Sequence, residues 1–230
     1  MSTLTLVRHG QATAFAKNSD RLTTLGEQQA HKLGEAWALQ NVSFNRILCG
    51  TLQRQRHTAE IACSYLQQCP ALEYSPAFNE YDAAGVTTTL ADAAPELQAL
   101  RNIYLEHRQS EDRNKYFQRF FESAMGVWMA GQVQPDGVET ATAFFERVET
   151  GLRTIMADAI GNQRIALFTS GGVIGRTVQW ATAAPPATAL ELNWRVRNCS
   201  ITEFLFSKGR ISLDLFNATS HLPPDMISYR

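Results

Sequence analysis

Nowhere does this sequence hold an apolar run of the ~18 residues that a membrane-spanning helix needs. Its charges nearly cancel: 21 lysines and arginines face 22 aspartates and glutamates, for a net charge of -1. No overall basic field is available to attract nucleic acid or an anionic membrane, so neither is expected as a partner and any anion site must be local. Cysteine is scarce. Cys49, Cys63, Cys69 and Cys199 form no CxxC and no Cys/His spacing of a zinc site, and they read as reduced thiols, which fits the cytoplasm. Neither metal nor cofactor is expected. From Met1 the chain passes directly into "TLTLV", without the basic and apolar segments of an export signal. Linker-like stretches and internal repeats are missing too, so residues 1–230 are read as a single domain around one sizeable core.

What the sequence does contain is an alternation of two periods. Short β-rich runs stand at 4–7, 46–50, 164–169, 200–206 and 211–216, with a shorter one near 72–75, and helical patterns lie between most of them. "TLGEQQAHKLGEAWALQ" places Thr24 at an N-cap position with Glu27 three residues on, and sets Leu25, Ala30, Leu33 and Trp37 at helical spacing. The alternation predicts an α/β fold: a three-layer sandwich with a mainly parallel sheet and helices on both faces. The last two runs, joined by "SKG", predict an antiparallel hairpin at the sheet edge. Residues 83–138 interrupt the rhythm and predict a helical cap insertion. There Phe117, Phe120, Phe121, Ala124, Met125 and Trp128 share one helix face, which reads as packed core.

Three stretches carry chemistry. "LVRHGQA" sets Arg8 and His9 at the end of the first strand, before Gly10, whose missing side chain permits close backbone approach. A neighbouring guanidinium disfavours imidazolium and so keeps His9 neutral and nucleophilic, while the planar fork of Arg8 suits phosphate oxygens. "TLQRQRHTAEIA" places Arg54 on the same helix face as Thr58, Ile61, Ala62 and Tyr65; Arg56, four residues before Glu60, points outward to an ordinary surface pair. "FNEYDAAG" offers Glu80 and Asp82, either of which could serve as an acid/base group. A fourth stretch, "RIALFTSGGVIGR", ends an apolar strand at Ser170, Gly171 and Gly172 and opens into a helix, whose free N–H groups favour an anion.

Taken in order, "LVRHGQA", "LTTLGEQQA", "TLQRQRHTAEIA" and "FNEYDAAG" resemble the successive motifs of the histidine phosphatase, or phosphoglycerate mutase-like, superfamily, and "RIALFTSGGVIGR" with "SITEFLF" extends the resemblance toward the C-terminus. The resemblance implies that His9 accepts a phosphoryl group, that Arg8 and Arg54 hold phosphate oxygens, and that Glu80 transfers protons. It also implies substrate contacts from Gly10, Gln11, Ser170, Gly171 and His221. One position departs: where many members read Ser-His-Gly-Gly, this sequence has Thr169-Ser170-Gly171-Gly172, so a second histidine is replaced by a hydroxyl that donates a hydrogen bond but carries no charge. His221, in "NATSHLPPD", reads first as structural.

The expected function is a metal-independent phosphomonoester phosphatase that forms a phosphohistidine on a small phosphorylated substrate. One alternative is a catalytically attenuated phosphate-ligand binding protein; retention of both His9 and Glu80 argues against it. Another is a mutase-type phosphotransferase, but cofactor-dependent mutases resemble "RHG" followed by a Trp-Asn pair, whereas this chain reads "RHGQATAFAKN" and ends soon after "HLPPD". A serine hydrolase built on Ser170, Asp214 and His221 is weaker, since Phe168 stands where the nucleophile elbow needs glycine and both arginines go unexplained. Substrate identity and oligomeric state are left open.

Overall fold

Six short strands, Ser2–Arg8 (β1), Arg46–Cys49 (β2), Leu72–Tyr74 (β3), Arg164–Thr169 (β4), Ile201–Ser207 (β5) and Arg210–Ala218 (β6), form one sheet in the order β3-β2-β4-β1-β5-β6. The computed structural model describes residues 1–13, 20–131, 133 and 136–229. Residues 14–19, within the stretch that departs from the mutase pattern, and 132, 134 and 135 of the expected insertion lie outside the described residues. The pairs β1–β4, β2–β4 and β2–β3 are parallel, and β1–β5 and β5–β6 are antiparallel. The hairpin expected at the edge is therefore β5–β6, turned by Lys208 and Gly209, the latter at φ +78°.

The chain forms two compact units, one of Met1–Glu80 with Arg147–Arg230 and one of Tyr81–Glu146. In the first, side chains alternate across the sheet. Val7, Ile47, Cys49, Ala166 and Phe168 meet Leu33 and Trp37 of the helix Thr24–Leu39 (α1) and Ala59, Ala62 and Cys63 of the helix Gln53–Cys63 (α2). Their strand neighbours Leu6, Leu48, Ile165 and Leu167 point to the opposite face and are buried as well. On that face the helix Gly171–Thr182 (α7) packs against β1 and β6. Trp37 anchors the first face edge-on to Phe44 and Phe168, with ring centroids 5.0 and 5.8 Å away. The four cysteines are free thiols; burial pushes that of Cys49 up to about 12.

Helix α1 corrects one local expectation. Its cap is Thr23 rather than Thr24: the Thr23 hydroxyl accepts from the Gly26 N–H at 3.1 Å. Leu25 is only half-buried, and the contact face instead includes two glycines, Gly26 and Gly34. Glycine at 26 follows from close approach, because a Cβ there would stand 2.1 Å from the Gln11 carbonyl oxygen. Gly10 is under the same constraint from the other side, with the Gly26 oxygen 2.3 Å from its would-be Cβ.

The second unit holds the helices Ala83–Ala93 (α3), Pro95–Glu106 (α4) and Arg113–Ala130 (α5), followed by the start of the helix Ala141–Asp158 (α6). Phe120, Ala124, Met125 and Trp128 of the aromatic stripe are buried, whereas Phe117 and Phe121 are half-buried and stacked on each other. Trp128 lies 4.6 Å, centroid to centroid, from Tyr81. Asp82 is the N-cap of α3, its carboxylate accepting from the Gly85 N–H at 2.9 Å.

The glycine contrast is testable by thermal or denaturant unfolding. Gly26→Ala forces backbone to shift and is expected to destabilise by about 1–3 kcal/mol. Gly126→Ala, in α5, where a Cβ meets nothing within 4 Å, is expected to stabilise by roughly 0.5–1 kcal/mol through helix propensity.

Candidate active site

Parallel pairing of β1 with β4, with Arg8 opposite Thr169, brings the two strand exits side by side, and the His9 N–H donates to the Thr169 carbonyl at 2.9 Å. His9 and Ser170 are thus neighbours on adjacent strands, which lie roughly 4.8 Å apart. Strand alternation separates Arg8 from His9. His9 falls on the α1/α2 side, whereas Arg8 turns to the other face, where its Nη1 donates to the Val196 carbonyl. Both side chains are buried.

The tautomer of His9 follows from its partners. Nδ1 lies 2.7 Å from the Gly10 carbonyl oxygen, which only accepts, so Nδ1 carries the proton. Nε2 is then left with a lone pair, which accepts from Arg54 Nε at 3.1 Å. Burial, then the charges of Arg54 and Arg8, hold the His9 imidazole well below its ordinary pKa of 6.5, with the Gly10 carbonyl acting weakly in the opposite sense.

Arg54 comes from the first turn of α2. Its Nη1 pairs with Asp20 at 2.8 Å, and the same carboxylate accepts from the Gln53 N–H at 2.7 Å and the Arg54 N–H at 3.4 Å. Asp20 therefore serves both the orphan donors of the helix start and the guanidinium. Thr58, one turn on, accepts from the Gly10 N–H at 3.0 Å and ties α2 to the His9 loop. Arg56 turns outward, as the helical phase predicts, but it covers the Tyr74 ring at 5.0 Å.

On the β4 side, Ser170 is fully buried and is the N-cap residue of α7, yet its hydroxyl makes no cap bond. It accepts instead from Gln55 Nε2 at 2.8 Å. The second N–H of α7, that of Gly172, donates to Glu80 Oε2 at 2.9 Å, so a carboxylate of the chain itself occupies part of the anion-favouring helix start. Gly171 is explained by packing, because its Cβ would stand 2.2 Å from Asn193 Oδ1 of the helix Pro186–Arg195 (α8).

The turn before β5 clamps the exit of β1. Cys199, at φ +52°, donates its N–H to the Arg8 and His9 carbonyls at 3.0 and 3.3 Å, and Asn198 Nδ2 donates to the His9 carbonyl at 3.1 Å. His221 Nε2 donates to the Cys199 carbonyl at 3.0 Å, and burial lowers its pKa. That bond ties His221 to the turn before β5. Gln11 is held within the protein, its N–H donating to Gln29 Oε1 at 2.8 Å and its Oε1 accepting from the Thr23 hydroxyl at 2.8 Å.

His9, Arg54, Ser170 and Glu80 are thus linked to one another or to adjacent strand exits, whereas Gly10 and Gly171 are explained by packing and His221 by the Cys199 turn. The serine-hydrolase arrangement is not formed: the Ser170 hydroxyl meets Gln55, and His221 meets a backbone carbonyl. Sequence reasoning missed Asp20, Gln55 and Asn198. Gln55 lies one residue beyond Arg54, and only a shift of the buried helix face by one position would have revealed it. No group of three or more histidine, cysteine or acidic side chains suited to a metal occurs among the described residues, and no helix among them is long and apolar enough to cross a membrane.

Comparison with known proteins gives these contacts a family. The chain has no match among curated proteins. Solved structures share its fold at low identity. An α-ribazole phosphatase from Shigella flexneri is 21% identical at TM-score 0.62, covering 94% of this chain and 96% of its own. A mycobacterial glucosyl-3-phosphoglycerate phosphatase, solved with VO3, is 18% identical at TM-score 0.66, covering 95% and 100%. A phosphoglycerate mutase from Bacillus anthracis is 16% identical at TM-score 0.66, covering 96% and 94%. The family model matches residues 4–119 and 94–219, and the chain belongs to the histidine phosphatase superfamily, branch 1.

Proposed function

We propose that the protein is a phosphomonoester phosphatase in which His9 carries the phosphoryl group. The observation that supports this most directly is the Nδ1–Gly10 bond, which leaves the Nε2 lone pair as the nucleophile beside the Arg54 guanidinium and within the field of Arg8. Nε2 forms a bond to phosphorus as the ester P–O bond breaks, and the leaving oxygen takes a proton from Glu80, which enters this step as the neutral acid and leaves it as the carboxylate. Water then attacks phosphorus, gives a proton to Glu80 and breaks the N–P bond, which releases inorganic phosphate. Arg54 and the remaining N–H groups at the start of α7 offset charge on the phosphoryl oxygens, and Arg8 adds positive charge from the other face of the sheet, so the reading requires no metal ion.

Arg54 Nε donates to the nucleophilic Nε2, and the incoming phosphate must replace that contact. The pair with Asp20 keeps Arg54 at the site while its Nε exchanges one acceptor for another. A phosphatase is preferred to a mutase because the chain lacks the Trp-Asn pair after "RHG". Free thiols fit a reducing compartment such as the cytoplasm.

Acid-labile, base-stable phosphate is expected on His9 when the enzyme is quenched during turnover of a good phosphomonoester. His9→Ala should lose both the label and phosphate release; retained activity would remove the mechanism. Arg54→Ala is expected to lower kcat/KM by roughly 10²–10³-fold, as for loss of one donor to transition-state charge, whereas Arg56→Ala should stay within about twofold, as befits an outward position. Steady-state kinetics on both variants checks the contrast. For pH, the sign follows from the lowered pKa: neutral His9 is the working form, so it persists as pH falls through 6.5 and is lost only below. The His9 ring signals in NMR should accordingly titrate below pH 6.5; a midpoint at or above that value would contradict the buried neutral imidazole.

A further inference from the structure

Gln55 and Ser170 stand together at the exit of β4, next to the exit of β1 that carries His9, and nothing in the proposed reaction yet uses Gln55. Its side chain is fully buried. Two backbone groups settle which way its amide points. The Leu52 N–H, which only donates, meets Oε1 at 3.3 Å, and the Phe78 carbonyl, which only accepts, meets Nε2 at 3.1 Å. Gly50 makes room for this placement, since a Cβ there would stand 1.9 Å from Gln55 Oε1. The atom facing the Ser170 hydroxyl at 2.8 Å is therefore an N–H donor, and Ser170 Oγ has to accept.

An oxygen that accepts from Gln55 keeps its own proton for another partner. Among the described residues the Ser170 hydroxyl has no acceptor for that proton, and Ser170 is closed to water. The position beside Ser170 across the β1–β4 pairing is His9. We infer that Gln55 is a positioning residue: by donating to Ser170 it turns the serine proton toward the phosphoryl group bound at His9. This inference rests on the phosphatase reading above.

On this reading the serine at 170 has a partner of its own: the Gln55 amide fills the space 2.8 Å from its Oγ. The buried amide and the hydroxyl together replace a single larger donor. They supply a directed, uncharged hydrogen bond in place of a cationic one.

The test is a double-mutant cycle read by calorimetric binding of vanadate, which needs no turnover. Ser170→Ala and Gln55→Met are each expected to weaken binding by roughly tenfold, the scale of one hydrogen bond to a charged group. The double variant should be no weaker than either single variant, because with the hydroxyl gone there is no proton left to direct. A purely structural Gln55 would give losses that multiply, and that result would overturn the inference, as would wild-type affinity in Ser170→Ala. If Gln55→Met does not fold, Gln55→Leu takes its place in the cycle, and the Ser170→Ala arm still decides whether the hydroxyl contributes. Failure of the wild-type protein to bind vanadate at all would remove the phosphatase reading and this inference with it. Multiplying losses in a protein that binds vanadate would remove the inference alone.

Discussion

The register between β1 and β4 is the constraint on which the site depends. Parallel pairing with Arg8 opposite Thr169 sets His9 next to Ser170 and sends Arg8 to the opposite face from His9. Slippage by one residue would exchange those faces, carrying His9 away from α2 and burying the wrong set of strand residues. The register is held from both sides: Val7 and Phe168 belong to the core under α1 and α2, and Leu6 and Leu167 are buried on the other face. Beyond the strand, Cys199 and Asn198 continue the grip on the Arg8 and His9 carbonyls.

Around that register the charged side chains pair with one another and with helix starts. Arg54 divides its donors between Asp20 and the lone pair of His9. Glu80 sits against the start of α7, where the helix dipole favours negative charge. A neutral imidazole among buried groups avoids the large penalty of a buried unpaired charge, and the nearby guanidiniums keep it neutral.

Close packing explains residues that a motif alone would assign to ligand contact. Gly10 and Gly26 let the His9 loop and α1 touch backbone to backbone, and Gly171 admits Asn193 of α8. Such contacts fix the loop that presents His9 more firmly than a longer connection would. They also show why a glycine beside a histidine at a strand exit is ambiguous in sequence: the same residue type meets the demand of a ligand and that of a neighbouring helix.

Residue order and periodicity by themselves determined the six strands, the antiparallel edge hairpin and the direction of Arg54, because strand and helix periods depend only on spacing along the chain. The motif order likewise pointed to the family that the chain belongs to. Spacing could not locate the cap of α1, which moved from Thr24 to Thr23, since the choice between adjacent threonines rests on which hydroxyl reaches the Gly26 N–H. Nor could it single out Asp20, Gln55 or Asn198, whose partners lie 34, 115 and 189 residues away in the chain. Those contacts exist only once the sheet has brought separate segments together. The partner of Ser170, and hence the direction of its proton, was decided by tertiary structure, because a hydroxyl rotates to suit whichever donor or acceptor the fold sets beside it.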